Sequence, residues 1–149
     1  VDSNIITTLP STTTQNKIAI IGGGVCGILC MKYLKEYGLK ADLYDTRTEL
    51  TGLWSPKEGF VWEEMTTNLS QYLCQFHDHL WDLKDPYLPS SQELYHYLTD
   101  YVKKNDLESY HSLYFQTKLN TLSHTKNESG KEIYKLNIES NSNSKEMTY

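Results

Sequence analysis

The sequence predicts an α/β fold that opens with a strand–helix–strand unit and continues through a second helix into a β-hairpin. Two patterns carry this reading. A short apolar run, Lys17-Ile18-Ala19-Ile20-Ile21, ends in Gly22-x-Gly24-x-x-Gly27, and an apolar helical pattern follows at once. Further on, a helix with its own start signal precedes two alternating segments separated by a turn.

Each element has a local reason. Residues 17–21 lack polar alternation, as expected of a strand buried on both faces. From Val25 to Tyr37 the positions Gly27, Cys30, Met31 and Leu34 recur at helical spacing, with Lys32, Lys35 and Glu36 pointing away. Gly38 is a helix stop. Ala41-Asp42-Leu43-Tyr44 reads as a second strand ending in Asp45. Residues 55–89 are irregular, with Pro56, Gly59, Pro86 and Pro89 as punctuation, and a loop of that length inside a domain is usually functional. Ser90 and Glu93 form a capping box for a helix running to about Asn105, with Leu94, Tyr97, Leu98, Tyr101 and Val102 on one face. Leu113–Leu122 reads as a strand, Asn127-Glu-Ser-Gly130 as a turn, and Ile133–Ile138 as the returning strand. Residues 1–16 read as a disordered leader, 17–140 as one domain, and 141–149 as a polar tail or truncated strand.

Composition narrows the function. The chain has 149 residues and a net charge of -5, which argues against general affinity for nucleic acid or anionic membranes. Hydrophobic residues make up only 38%, so the core is modest and has room to be completed by a cofactor or more protein. Cys26, Cys30 and Cys74 form no disulfide framework; Cys26 and Cys30, one helical turn apart, read as buried or partly buried thiols. With no membrane-length apolar run and no signal peptide, an intracellular, cytoplasmic setting is the simplest account. His77-Asp78-His79, with Asp82, invites a metal reading, but no further ligand set stands beside it and none is assigned.

The glycine pattern is the phosphate-cradling corner of a Rossmann-like, dinucleotide-binding βαβ unit. Gly22 permits the sharp turn, Gly24 lets backbone amides approach a pyrophosphate, and Gly27 lets the helix pack against the strand. Amides at the helix start, Val25 and Cys26 among them, face the anion. Asp45 lies about 20 residues beyond the glycines, where an acid accepts the ribose hydroxyls. Arg47 suits a 2′-phosphate, which Asp45 would repel, so FAD or NAD outranks NADP here.

With these landmarks the chain resembles the N-terminal part of the flavin-containing monooxygenase family, from Lys17 to about Ile138. Four features carry the resemblance: the glycine turn with Asp45; Thr51-Gly52-Leu53-Trp54, similar to the family's Gly-Gly-x-Trp; Thr66-Thr67-Asn68, similar to its Thr-Asn pair; and the order Pro86-Tyr-Leu-Pro89, helix, Phe115-Gln-Thr117-Lys-Leu119. Thr51 stands where the family has glycine, so a positive φ there would carry strain. The family's second glycine motif for NADPH, its Phe-x-Gly-x-x-x-His segment and its third parallel strand are not found, so the doubly wound sheet reads as truncated.

The resemblance implies a flavoprotein that oxygenates small nitrogen or sulfur nucleophiles with NADPH and dioxygen, with FAD held by this segment. Gly22, Gly24, Val25, Cys26 and Gly27 would hold pyrophosphate, Asp45 ribose, and backbone near Leu119 the adenine. Leu53, Trp54, Thr67 and Asn68 would approach the flavin, with Asn68 the catalytic candidate because its amide offers two donors and an acceptor. The bland alternatives stay open: Trp54 as a plug between loop and core, and Asn68 in an Asx turn. Rival functions are an NAD-binding dehydrogenase half, a flavin amine oxidase or desaturase, and a non-catalytic nucleotide-binding remnant.

Overall fold

A computed structural model describes residues 17–57, 60–82, 84–140 and 143–149. The leader expected at 1–16 lies outside the described residues, as does Gly59. Strands β1 (Ala19–Ile21), β2 (Asp42–Tyr44) and β3 (Ser112–Tyr114) form a parallel sheet in that order, with Leu43 opposite Ile20 and Leu113. Helix α1 (Val25–Glu36) crosses from β1 to β2. Helix α2 (Ser91–Lys104) and the short α3 (Leu107–Tyr110) lead into β3. Strands β4 (Thr117–Lys126), β5 (Glu132–Ser140) and β6 (Asn143–Thr148) form a second, antiparallel sheet.

Period-two alternation in the short parallel strands sorts the core into two sides. Ile20 and Leu43 face the helices, meeting Ile28 and Met31 of α1 and Tyr97, Leu98, Tyr101 and Val102 of α2. Ala19 and Tyr44 face the other way, onto Leu119, Leu136, Ile138, Met147 and Tyr149 of the antiparallel sheet. The Tyr149 hydroxyl bonds Asp42 at 2.7 Å and the Tyr44 hydroxyl at 2.6 Å, tying β6 to β2.

The start signals act as expected. Ser90 caps α2 by accepting from the Glu93 amide, and the Glu93 carboxylate accepts from the Ser90 amide at 2.8 Å. Gly38, at φ +70°, ends α1 with bonds from Gly38 and Leu39 amides to Lys35 and Leu34 carbonyls. The Asn127 side chain closes the β4–β5 turn by accepting from Ser129 and Lys131 amides.

Four expectations change. The strand expected over Leu113–Leu122 is two elements in two sheets. Gln116, at φ +51°, redirects the chain, and the Thr117 amide donates to the Asp45 carbonyl at 2.8 Å. A third parallel strand, β3, is therefore present, though the Ala-Thr-Gly turn expected with such a strand does not follow it. Lys32 does not point away: it is buried, pairing with Glu36 at 2.8 Å and Asp78 at 3.0 Å. Cys26 and Cys30 are exposed, because α1 turns Gly27, Ile28, Met31 and Lys32 inward instead.

His111 links α3 to the sheet. Its Nδ1 accepts from the Ala41 amide at 3.1 Å, so the proton is on Nε2, which donates to the Met31 carbonyl at 2.9 Å. Burial holds its pKa below the ordinary imidazole value.

Candidate functional site

The glycine corner is made of backbone. Gly22, at φ +97°, donates its amide to the Tyr44 carbonyl at 2.8 Å and turns the chain off β1. Gly24 is the N-cap of α1 and supplies no side-chain cap, so the first amides of the helix have no partner within it. A Cβ on Gly27 would stand 2.0 Å from the Gly22 carbonyl oxygen, so only glycine fits. Asp45 is buried and its two oxygens accept from the Gly23 amide at 2.5 Å and the Arg47 amide at 2.8 Å. A carboxylate has about four acceptor positions, so capacity remains for sugar hydroxyls.

The second loop closes the corner. Thr51 and Gly52 both have positive φ, +91° and +61°. The Thr51 amide donates to the Gly23 carbonyl at 2.9 Å, and a Cβ on Gly52 would meet the Gly24 Cα at 2.8 Å. The two loops thus touch backbone to backbone. Between them runs a groove of about 400 Å³ lined by Gly22, Gly24, Val25, Cys26, Gly27, Asp45, Leu53 and Trp54 together with Arg47, Thr51 and Gly52. Among the described residues, Arg47 Nε and Thr51 Oγ1 in this wall are buried without a hydrogen-bond partner. A bare cradle flanked by unsatisfied polar atoms fits a polar, extended ligand such as a dinucleotide.

Val25 and Trp54 also border a larger cavity of about 520 Å³. Its rim is the segment strapped along the start of α2. The Ser91 amide bonds the Met65 carbonyl, the Thr67 amide the Pro89 carbonyl, and the Gln71 amide the Tyr87 carbonyl, at 2.8, 2.8 and 2.9 Å. This places Thr67 and Asn68 on the lining, opposite Leu94, Tyr97 and Leu98 of α2. Thr67 is buried, and its hydroxyl donates to the Leu69 carbonyl at 2.7 Å. Asn68 is exposed, and its amide has no partner among the described residues. Burial pushes the Cys74 thiol up and the Tyr97 phenol up to about 12, so both lining groups are neutral at pH 7.

Leu119 stands apart from both cavities and packs in the cluster of Tyr44, Leu136 and Ile138. The periodicity of α2 marks Leu94, Tyr97 and Leu98 as core, but nothing local says that they also wall a cavity. Arg47 as a groove residue has a signal: an Asp two positions earlier makes an Asx-type turn.

Within His77-Asp78-His79, Asp78 and His79 anchor the strap to the helices. Asp78 accepts from Tyr101 at 3.2 Å and pairs with Lys32, while the His79 ring packs on Tyr97 and Tyr101. Burial raises the Asp78 pKa, but the Lys32 and Tyr101 bonds outweigh it and hold it below its ordinary value. No group of three metal-ligating side chains occurs among the described residues. Nor is any described helix long and apolar enough to cross a membrane.

A family model described as flavin-binding monooxygenase-like matches residues 15–148. The chain belongs to this family. The N-oxide-forming dimethylaniline monooxygenase 2 of Oryctolagus cuniculus is 29% identical over 107 residues, covering 68% of this chain and 20% of the relative. The chain therefore spans about a fifth of the length of the curated relatives it matches. Among solved structures, S-allyl-L-cysteine S-oxygenase from Allium sativum superposes with a TM-score of 0.71 at 14% identity, covering 89% of this chain and 34% of that one. An oxidized steroid monooxygenase bound to NADP gives 0.69 at 14% identity, covering 88% and 24%. These two likenesses show the fold: a flavin-binding monooxygenase-like α/β unit with a parallel sheet backed by an antiparallel one.

Proposed function

We propose that this flavin-binding monooxygenase-like chain is the FAD-binding portion of a monooxygenase that oxygenates small, soft nitrogen or sulfur nucleophiles using NADPH and dioxygen. The observation that carries the proposal is that two unlike spaces share a wall. A groove lined largely by backbone and holding Asp45, and a mainly apolar cavity lined by Asn68, both have Val25 and Trp54 in their walls.

In this reading Gly22, Gly24, Val25, Cys26 and Gly27 hold the pyrophosphate through main-chain amides. Asp45 accepts from the ribose while its Gly23 bond fixes the turn. Leu53 and Trp54 carry the cofactor across into the cavity. Thr67, tied to the strap, positions Asn68, whose amide is free to hold a ligand's carbonyl or amide. Bound FAD would supply the redox and oxygen-transfer chemistry. The chain's own contribution is to orient the ring and keep water from one face of it through Trp54, Met65 and Phe76. Backbone near Leu119 would meet the adenine, the start of β4 being held beside Asp45 by the Gln116 and Thr117 amides, which donate to the Arg47 and Asp45 carbonyls. Residues 17–140 form the FAD-binding unit, extended by β6. The three free thiols suit a reducing, intracellular compartment.

Titration of the purified chain with FAD, followed by quenching of flavin fluorescence, tests this. Saturable one-to-one uptake with the bound flavin's absorbance is the expected result. A chain that takes up NAD but no FAD would sink the reading.

A further inference from the structure

Thr51 carries two penalties at once. It is β-branched and 1% exposed, yet its backbone sits at φ +91°, a region such residues avoid. Its hydroxyl is buried with no hydrogen-bond partner among the described residues. Neighbouring polar groups are committed elsewhere: Glu49 accepts from Ser55, Lys57 and Tyr95, and the Thr99 hydroxyl donates to the His96 carbonyl. The Thr51 amide is fixed to the Gly23 carbonyl, so the loop cannot relax without releasing the glycine turn. Thr51 lines the groove, beside Gly24 and Gly52, and also borders a separate pocket walled by Glu49, Tyr95 and Thr99. Strained backbone and unsatisfied buried donors persist where a ligand uses them.

We infer that the Thr51 hydroxyl is a cofactor-binding group, donating a hydrogen bond to a phosphate or sugar oxygen of the dinucleotide laid along this groove. The inference rests on the FAD reading above. It adds a second side-chain contact, beside that of Asp45, to a cradle made mostly of main chain, and makes the residue a determinant of affinity rather than a tolerated departure from glycine.

Three substitutions test it, each read by FAD titration and by thermal unfolding of the ligand-free protein. Thr51→Val keeps shape and strain but removes the hydroxyl: FAD affinity falls about tenfold, while the ligand-free midpoint holds or rises because an unpaired buried donor has gone. Thr51→Ser keeps the hydroxyl and binds within about threefold of the parent. Thr51→Gly relaxes the backbone, so the ligand-free protein melts higher while FAD binds more weakly. Opposite signs of stability and affinity are what a purely structural residue would not give. Parental affinity in Thr51→Val, or affinity and stability falling together in it, overturns the inference and leaves the FAD assignment standing. No FAD uptake by the unsubstituted chain overturns the assignment itself and this contact with it.

Discussion

In the corner formed by residues 19–27 and 42–54 the wall is main chain; in the cavity between residues 62–76 and α2 it is side chains brought from far apart. At two of its glycines the corner has no room for a side chain. Gly27 has a carbonyl at 2.0 Å from where a Cβ would be, and Gly52 has a Cα at 2.8 Å. The cavity is held at a distance, by Tyr97 bonding the Phe76 amide and the His79 carbonyl and by Asp78 joining Lys32 to Tyr101. A backbone site depends on sterics and fails abruptly. A side-chain site depends on many modest bonds and degrades gradually.

The largest test of this contrast is Gly27→Ala. Its Cβ collides with backbone that cannot move, so the protein loses about 3 kcal/mol or more in urea unfolding. Unchanged stability would mean that the corner is softer than its geometry. Gly24→Ala sharpens the point, because there the new Cβ meets only an ordinary 3.8 Å contact with Gly52. The ligand-free fold should keep its stability within about 0.5 kcal/mol. FAD affinity should drop about a hundredfold, roughly 2.7 kcal/mol, as the methyl crowds the pyrophosphate. Equal affinity by titration would remove the phosphate from this corner.

Tyr101→Phe probes the cavity's scaffold. Losing the bonds to Asp78 should cost about 1 kcal/mol and let the Asp78 pKa rise, with Lys32 still paired. A loss as large as that of Gly27→Ala would erase the distinction drawn here.

The smallest effect is a pH dependence. His111 has a folded pKa depressed by burial, with Lys35 and Lys40 lowering it further and the Met31 bond opposing. The native state therefore binds fewer protons than the unfolded chain. Its share of stability is complete above an imidazole's ordinary value of about 6.5 and is lost as pH falls below it. Melting midpoints from pH 7 down to pH 5 should decline. His111→Gln, which can keep both hydrogen bonds without gaining charge, should flatten the slope. His79, also depressed by burial, supplies a further share of the same sign. An identical slope in His111→Gln would locate the acid sensitivity elsewhere.

The corner was legible because its constraints are local. Turn, cap and helix start lie within Gly22–Gly27, and the α2 capping box within Ser90–Glu93. The strain at Thr51 was foreseeable from a β-branched residue in a glycine position, and its φ of +91° bears that out. The break at Gln116 was not, because alternation continues through it while the pairing partner changes from β2 to β5. Lys32 reads as a surface charge until Asp78, far along the chain, supplies its partner.

By itself the sequence determined the βαβ corner, the acid after β2, the capped α2 and the turn at Asn127, since each depends on dihedral preference, side-chain periodicity or a hydrogen bond between near neighbours. Tertiary structure alone decided that one apparent strand would divide between two sheets, that α1 would bury a lysine and expose two thiols, and that Trp54 would border both a groove and a cavity. Those outcomes depend on which distant surfaces meet, and on buried charge and backbone finding partners there, which spacing along a chain does not encode.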